Sequence, residues 1–218
     1  PWNYPFGMFV WGVIPNLLVG NTVVFKTSEE CPLCGKLIEE VLRAAELPEG
    51  VFTEIYGDRE EGALLLDQDI DLIWFTGSTR AGQEVYKKAA AKFVKVILEL
   101  GGSNAGIVFE DVELDDCAEK IFAKRYSNCG QSCDALKRLL VHESIYSDAL
   151  AKLKSIVQGK KFASTSEPDA VIGALAAERQ LELLEEQIAD AAAKGAEIVL
   201  GGKRAAGLSG AYFEPTII

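Results

Sequence analysis

The feature that most constrains this chain is the alternation of short apolar runs with amphipathic helical stretches across its first hundred residues. Thr22–Lys26 (TVVFK), Val51–Tyr56, Asp71–Thr76 (DLIWFT) and Phe93–Leu98 (FVKVIL) read as strands. Cys31–Glu46 has helical apolar spacing through Leu33, Leu37, Ile38, Val41 and Leu42. Pro32 suits its first turn, and Pro48 and Gly50 stop it. Arg59–Asp67 and Arg80–Ala91 supply two further helices. Such alternation predicts an α/β fold with a mostly parallel sheet covered on both faces. Right-handed crossovers then bring the strands' carboxyl ends to one rim, where ligands bind. Lys26, Tyr56–Gly57, Thr76–Gly77 and Glu99 fall on that rim.

A seam falls at Leu100–Asn104 (LGGSN), which divides the chain into domains at 1–100 and 101–218. Beyond it, strands are expected at Ala105–Phe109, Leu139–His142, Glu197–Leu200 and Tyr212–Ile218. Helices are expected at Leu114–Tyr126, Ser147–Gly159 and Glu178–Lys194. Phe6–Val19 is rich in apolar residues, but Gly7, Gly12, Pro15 and Asn16 interrupt it. No uninterrupted apolar run approaches the roughly 18 residues of a membrane span.

The formal charge of −11 opposes binding to a phosphate backbone, so nucleic acid is not an expected partner. Five cysteines, an odd number with no secretory leader before them, point to a reducing cytoplasm. Cys31 and Cys34 form a single CxxC. A metal site would need two more ligands, and the only histidine, His142, lies far along the chain, so no metal is expected.

Several short stretches could carry chemistry. In Gly130–Gln131–Ser132–Cys133 a thiol follows a polar, glycine-containing run. Held at a helix start it would gain thiolate character and attack a carbonyl carbon; a buried structural cysteine is the alternative. His142 sits in a strand pattern, so a cysteine–histidine pair is not expected and the base must be a carboxylate or a water that one holds. Glu99 ends an apolar strand before Gly101–Gly102. Partial burial would suit it as a base, while a strand-end charge reaching solvent is the plainer possibility. Thr76–Gly82 (TGSTRAG) follows a strand and opens a helix whose N–H groups can bind pyrophosphate, although its spacing is not GxGxxG. Lys26 and Glu29 could hold ribose hydroxyls, and Thr27 or Ser28 could cap the helix that follows.

Taken in order, Pro1–Trp2–Asn3–Tyr4–Pro5, Val24–Phe25–Lys26 with Glu29, Phe75–Thr76–Gly77–Ser78–Thr79, Glu99–Leu100–Gly101–Gly102 and Gly130–Gln131–Ser132–Cys133 resemble the aldehyde dehydrogenase superfamily. The likeness runs on to Phe213–Glu214–Pro215–Thr216. It implies part of a Rossmann-like cofactor domain followed by part of an α/β catalytic domain. By resemblance, Cys133 is the nucleophile, and Asn3 with the Cys133 N–H forms the oxyanion hole. Glu99 activates the water that hydrolyses the thioester. Lys26 and Glu29 hold the adenosine ribose, while Gly77, Ser78 and Gly82 belong to the pyrophosphate-binding helix start. The expected cofactor is NAD, with NADP possible, and the substrate is a small aldehyde.

Glu99 resembles the acid-forming branch rather than the coenzyme A-acylating one, which together with a non-catalytic protein on the same fold remains the alternative. Cys133–Arg138 (CDALKR) resembles semialdehyde- and lactaldehyde-oxidising members, and Arg125 could pair with a substrate carboxylate. Complete members are about twice this length and form homo-oligomers. The resemblance therefore implies a piece of such an enzyme, impaired if it stands alone.

Overall fold

Pro5 opens the first helix, α1 (Pro5–Gly12), and Pro15 lies in the first turn of α2 (Ile14–Leu18), in a computed structural model that describes residues 1–218. Proline is tolerated there because the first N–H groups of a helix have no intrahelical partner. Gly7, Gly12, Pro15 and Asn16 read as breakers in the sequence, and a segment that is apolar on nearly every side gives no helical period to detect. Phe9 and Val13 are buried with Ile38 and Leu42 of α3 (Pro32–Ala44). Phe9 also meets Phe25 of β1 (Val23–Lys26) and Phe52 of β2 (Phe52–Ile55) edge-on, with ring centroids 5.5 and 6.2 Å apart.

The chain divides into two compact units, Pro1–Gly101 and Gly102–Ile218. In the first, β1 pairs with β2 in parallel across α3, and α4 (Arg59–Leu65) follows. β3 (Leu72–Gly77) pairs in parallel with β4 (Lys95–Leu100) across α5 (Thr79–Ala91). The α/β class and the helical crossovers are as expected, but the strands form two separate pairs rather than one continuous sheet. Helix α1 touches both, since a Cβ on its Gly12 would stand 3.3 Å from the Trp74 ring of β3. Helix α4 begins with a capping box in which Asp58 accepts from the Glu60 N–H at 2.7 Å and Glu61 accepts from the Asp58 N–H at 2.8 Å. Lys88 of α5 reaches back to Asp67 at 2.6 Å.

In the second unit β5 (Asn104–Val108) pairs in parallel with β6 (Leu136–Val141) across α6 (Leu114–Tyr126). Helix α6 has Asp115 and Asp116 in its first turn and Lys124 and Arg125 in its last, matching the helix dipole at both ends. Helices α7 (Tyr146–Gly159) and α8 (Glu178–Ala193) follow. Phe122, Val157 and Ile172 form one core, and Leu181, Ile188, Ala211 and Phe213 a second. The strands expected at Glu197–Leu200 and Tyr212–Ile218 reduce to two antiparallel bridges, Leu200 with Ile217 and Arg204 with Phe213. Gly201, Gly202, Gly207 and Gly210, all at positive φ, break the segment too often for a ladder to grow. No helix is long and apolar enough to cross a membrane.

Glu54 is the one carboxylate placed against the logic of this core. It lies in β2 with both oxygens buried and without a hydrogen-bond partner. Gly35 of α3 makes room for it, since a Cβ there would stand 2.0 Å from Oε1. Burial, with the charge of Glu39 second, pushes the Glu54 carboxyl from 4.5 up to about 7. The folded state therefore holds this proton more tightly than the unfolded state. Its contribution is fully present below pH 4.5 and is lost as pH rises through about 7. Glu54→Gln should remove that loss. Melting curves should show the variant more stable than the parent at pH 8 by about 1–2 kcal/mol, after discounting for solvent near the residue, and no such gain at pH 5. An equal difference at both pH values would contradict the burial argument.

Candidate active site

The strand ends of the first unit carry the cofactor candidates. Lys26 is half-buried at the end of β1, and its Nζ donates to the Thr27 carbonyl at 3.0 Å. Thr27 is buried. Ser28 donates to the exposed Glu29 carboxylate at 3.3 Å and accepts from the Glu30 N–H at 3.3 Å. The N-cap of α3 is Cys31, without a side-chain cap bond, rather than Thr27 or Ser28. Ser28 instead closes a turn before the helix, its carbonyl accepting from the Cys31 N–H at 3.0 Å. The Cys31 thiol, raised mainly by burial, is hydrogen-bonded to Thr27 and Cys34.

Gly77 ends β3, and Ser78 caps the N-terminus of α5 by accepting from the Ala81 N–H at 3.2 Å. The N–H groups of Thr79 and Arg80 are left facing forward in the exposed first turn of this helix. Gly82 stands one turn further in and is buried. A Cβ there would lie 2.5 Å from the Leu100 side chain, so this glycine sets the approach of α5 to β4 rather than presenting backbone to a ligand. An ammonium, a carboxylate and two forward-facing helical N–H groups fit the ribose and phosphate chemistry of a dinucleotide.

Glu99 pairs in register with Thr76, whose buried hydroxyl has no partner. The expected partial burial of Glu99 is not found, because β4 ends there and Gly101 and Gly102 have no side chains to cover it. Asn3 is half-buried in the turn before α1.

In the second unit the chain leaves α6 through a 3₁₀ turn, Ser127–Gly130, in which Asn128, Cys129 and Gly130 all take positive φ, 51°, 56° and 75°. Asn and Gly suit that region and Cys does not, so strain accumulates just before the candidate nucleophile. Gly130 has a second reason to lack a side chain, because a Cβ would stand 2.6 Å from Nη2 of Arg125. Cys133 is exposed in a turn that runs into β6. The expected helix start is absent: three left-handed residues end the helical path and send the chain into a strand.

Four carbonyls of this turn are held by side chains. Asn104 donates to Cys133 O at 2.6 Å and Ala135 O at 3.0 Å. Lys137 donates to Ser132 O at 2.7 Å, and Arg125 to Leu136 O at 3.1 Å. Arg125 is thus engaged with the loop's own backbone, not free for a substrate carboxylate. Asp134 is paired with Lys124 at 2.5 Å and bonded to Ser132, which together hold its carboxyl down at about 2. Cys129 packs beside the Phe122–Val157–Ile172 core.

Sequence reasoning did not single out Asn104 or Lys137. A lysine and an amide flanking the Gly–Gly seam and the cysteine were visible, but their joint action depends on contacts between residues 29 and 31 positions apart.

The Aldehyde dehydrogenase family model matches residues 1–218. The chain belongs to the aldehyde dehydrogenase family. It is 38% identical over 224 residues to the 2-hydroxymuconic semialdehyde dehydrogenase of Pseudomonas putida, covering 100% of this chain and 46% of that protein. It is 35% identical over 221 residues to the succinate-semialdehyde dehydrogenase [NADP(+)] of Deinococcus radiodurans, again covering 100% of this chain and 46% of that protein. The crystal structure of the Mycobacterium tuberculosis aldehyde dehydrogenase complexed with NAD+ superposes with a TM-score of 0.96 at 37% identity, over 99% of this chain and 45% of that one. The chain spans about half the length of the aldehyde dehydrogenases it matches.

Proposed function

We propose that the protein carrying this chain oxidises an aldehyde, of the semialdehyde class, to a carboxylic acid with NAD. The observation that carries this reading is the exposed Cys133 thiol on a turn whose carbonyls are drawn back onto Asn104 and Lys137. Supporting it are the family and the semialdehyde dehydrogenases among its relatives. Residues 1–101 then carry the cofactor and residues 102–218 the nucleophile.

In this mechanism the Cys133 sulfur attacks the aldehyde carbon, and the new oxyanion accepts from the Cys133 N–H and the Asn3 side-chain amide. NAD, when bound, supplies the hydride acceptor. Cys133 is left as a thioester; Glu99 takes a proton from the water that attacks its carbonyl carbon, the C–S bond breaks, and the carboxylic acid departs with Cys133 restored as the thiolate. Lys26 and Glu29 hold ribose hydroxyls, and the start of α5 at Gly77–Ser78 faces phosphate. The Glu29 carboxylate repels a 2′-phosphate and so favours NAD over NADP. Five unpaired thiols suit a reducing compartment, where we place the protein.

Coenzyme A dependence tests the acid-forming reading. With NAD and an aldehyde, steady-state reduction of NAD is expected without coenzyme A and unaffected by adding it. Turnover that appears only with coenzyme A would assign the protein to the acyl-transferring branch instead.

A further inference from the structure

A bulge in β6 places a lysine where no ladder residue would stand. β5 and β6 pair Asn104 with Leu136 and Ala105 with Arg138, so Lys137 is the extra residue between two paired ones. A bulged residue leaves the ladder and its side chain is re-aimed. Lys137 Nζ donates to Ser132 O at 2.7 Å and also reaches Ala135 O at 3.2 Å and Cys133 O at 3.4 Å. An ammonium has three donors, and these three carbonyls use them all, which leaves none for a substrate. Asn104, on the neighbouring strand, takes the Cys133 and Ala135 carbonyls from its own side. Gly102 makes this packing possible, since a Cβ there would stand 2.2 Å from Cys133 O.

A trans peptide points its C=O and N–H in opposite directions. The Ser132 carbonyl and the Cys133 N–H share one peptide plane. Lys137, by holding that carbonyl, turns the Cys133 N–H the other way. Within the turn, the N–H groups of Gln131 and Ala135 donate to Asn128 and Ser132 carbonyls, and the Cys133 N–H donates to neither.

We propose that Lys137, supported by Asn104, is a positioning residue that fixes the Ser132–Cys133 peptide plane and so aims the Cys133 N–H at the oxyanion of the substrate adduct. The proposal rests on Cys133 as the nucleophile. It gives the β6 bulge a role in the reaction: it aims a backbone donor and leaves the thiol alone.

The test compares two rates in the whole protein, the aldehyde-dependent burst of NAD reduction and the alkylation of Cys133 by iodoacetamide. Alkylation forms no oxyanion, so it needs no aimed N–H. Lys137→Met should slow the burst by about 100-fold, the scale of losing one oxyanion donor, while alkylation changes several-fold at most. Asn104→Ala should show the same split at about tenfold, and it provides the test if Lys137→Met does not fold. A burst close to the parent rate, or burst and alkylation slowed by the same factor, would overturn the positioning role. Cys133→Ala separates this from the underlying reading. If that variant keeps its burst, both proposals fail; if it has none while Lys137→Met retains the parent burst, only the positioning role fails.

Discussion

Replacing Cys133 with alanine is expected to reduce aldehyde oxidation by at least about 10⁴-fold and to remove the burst of NAD reduction altogether. The sulfur is the only group in the Asn128–Leu136 turn that is exposed, nucleophilic and unpaired. Asp134 is held by Lys124 and Ser132, and Lys137 is occupied by carbonyls. Alanine is smaller and would break none of the hydrogen bonds that shape the turn, because all of them use backbone carbonyls or other side chains. Loss of activity should therefore come with an unchanged melting temperature. Binding of NAD, assigned to the other unit, should also be unchanged. A parent-like rate in this variant would remove the covalent mechanism.

Glu99→Gln should separate the two halves of the reaction. The amide is close in shape but cannot take a proton from water. Acylation of Cys133 should proceed, giving a burst near one equivalent of reduced NAD, while steady turnover falls by about 10²- to 10⁴-fold. Glu99 is exposed at the end of β4, so a folding defect is a poor explanation for such a loss. Rapid-mixing measurements of burst and steady rate distinguish the cases. Equal loss of both would mean that Glu99 acts before the thioester forms.

Much of the scaffold could be read from local signals. Helix α6 begins and ends at the expected residues because acids fill its first turn and bases its last. Strands β1 to β4 and their parallel sense followed from β-branched and aromatic runs separated by helices with clear apolar stripes, but their division into two pairs did not. Helices α1 and α2 were hidden because Gly7, Gly12 and Pro15 look like breakers when tertiary burial of Phe9 and Val13 is not in view.

For the two residues proposed to react, the place of Glu99 near a strand end was legible, but the settings of Cys133 and Glu99 were not. The cysteine lies in a turn rather than at a helix start, because the left-handed conformations of Asn128–Gly130 are not fixed by residue type alone. Glu99 is exposed rather than half-buried. Asn104 and Lys137 act across a β-bulge, and a one-residue register change leaves no mark in the amino-acid pattern.

The most direct measurement is mass spectrometry of the Glu99→Gln protein quenched after exposure to an aldehyde and NAD, then digested with trypsin. The peptide Tyr126–Lys137 (YSNCGQSCDALK) contains both Cys129 and Cys133, so fragmentation tells them apart. The acyl group should be on Cys133 in nearly every molecule and should need both reactants to appear. A peptide that stays unmodified while the aldehyde is consumed, or one acylated on Cys129, would contradict the account.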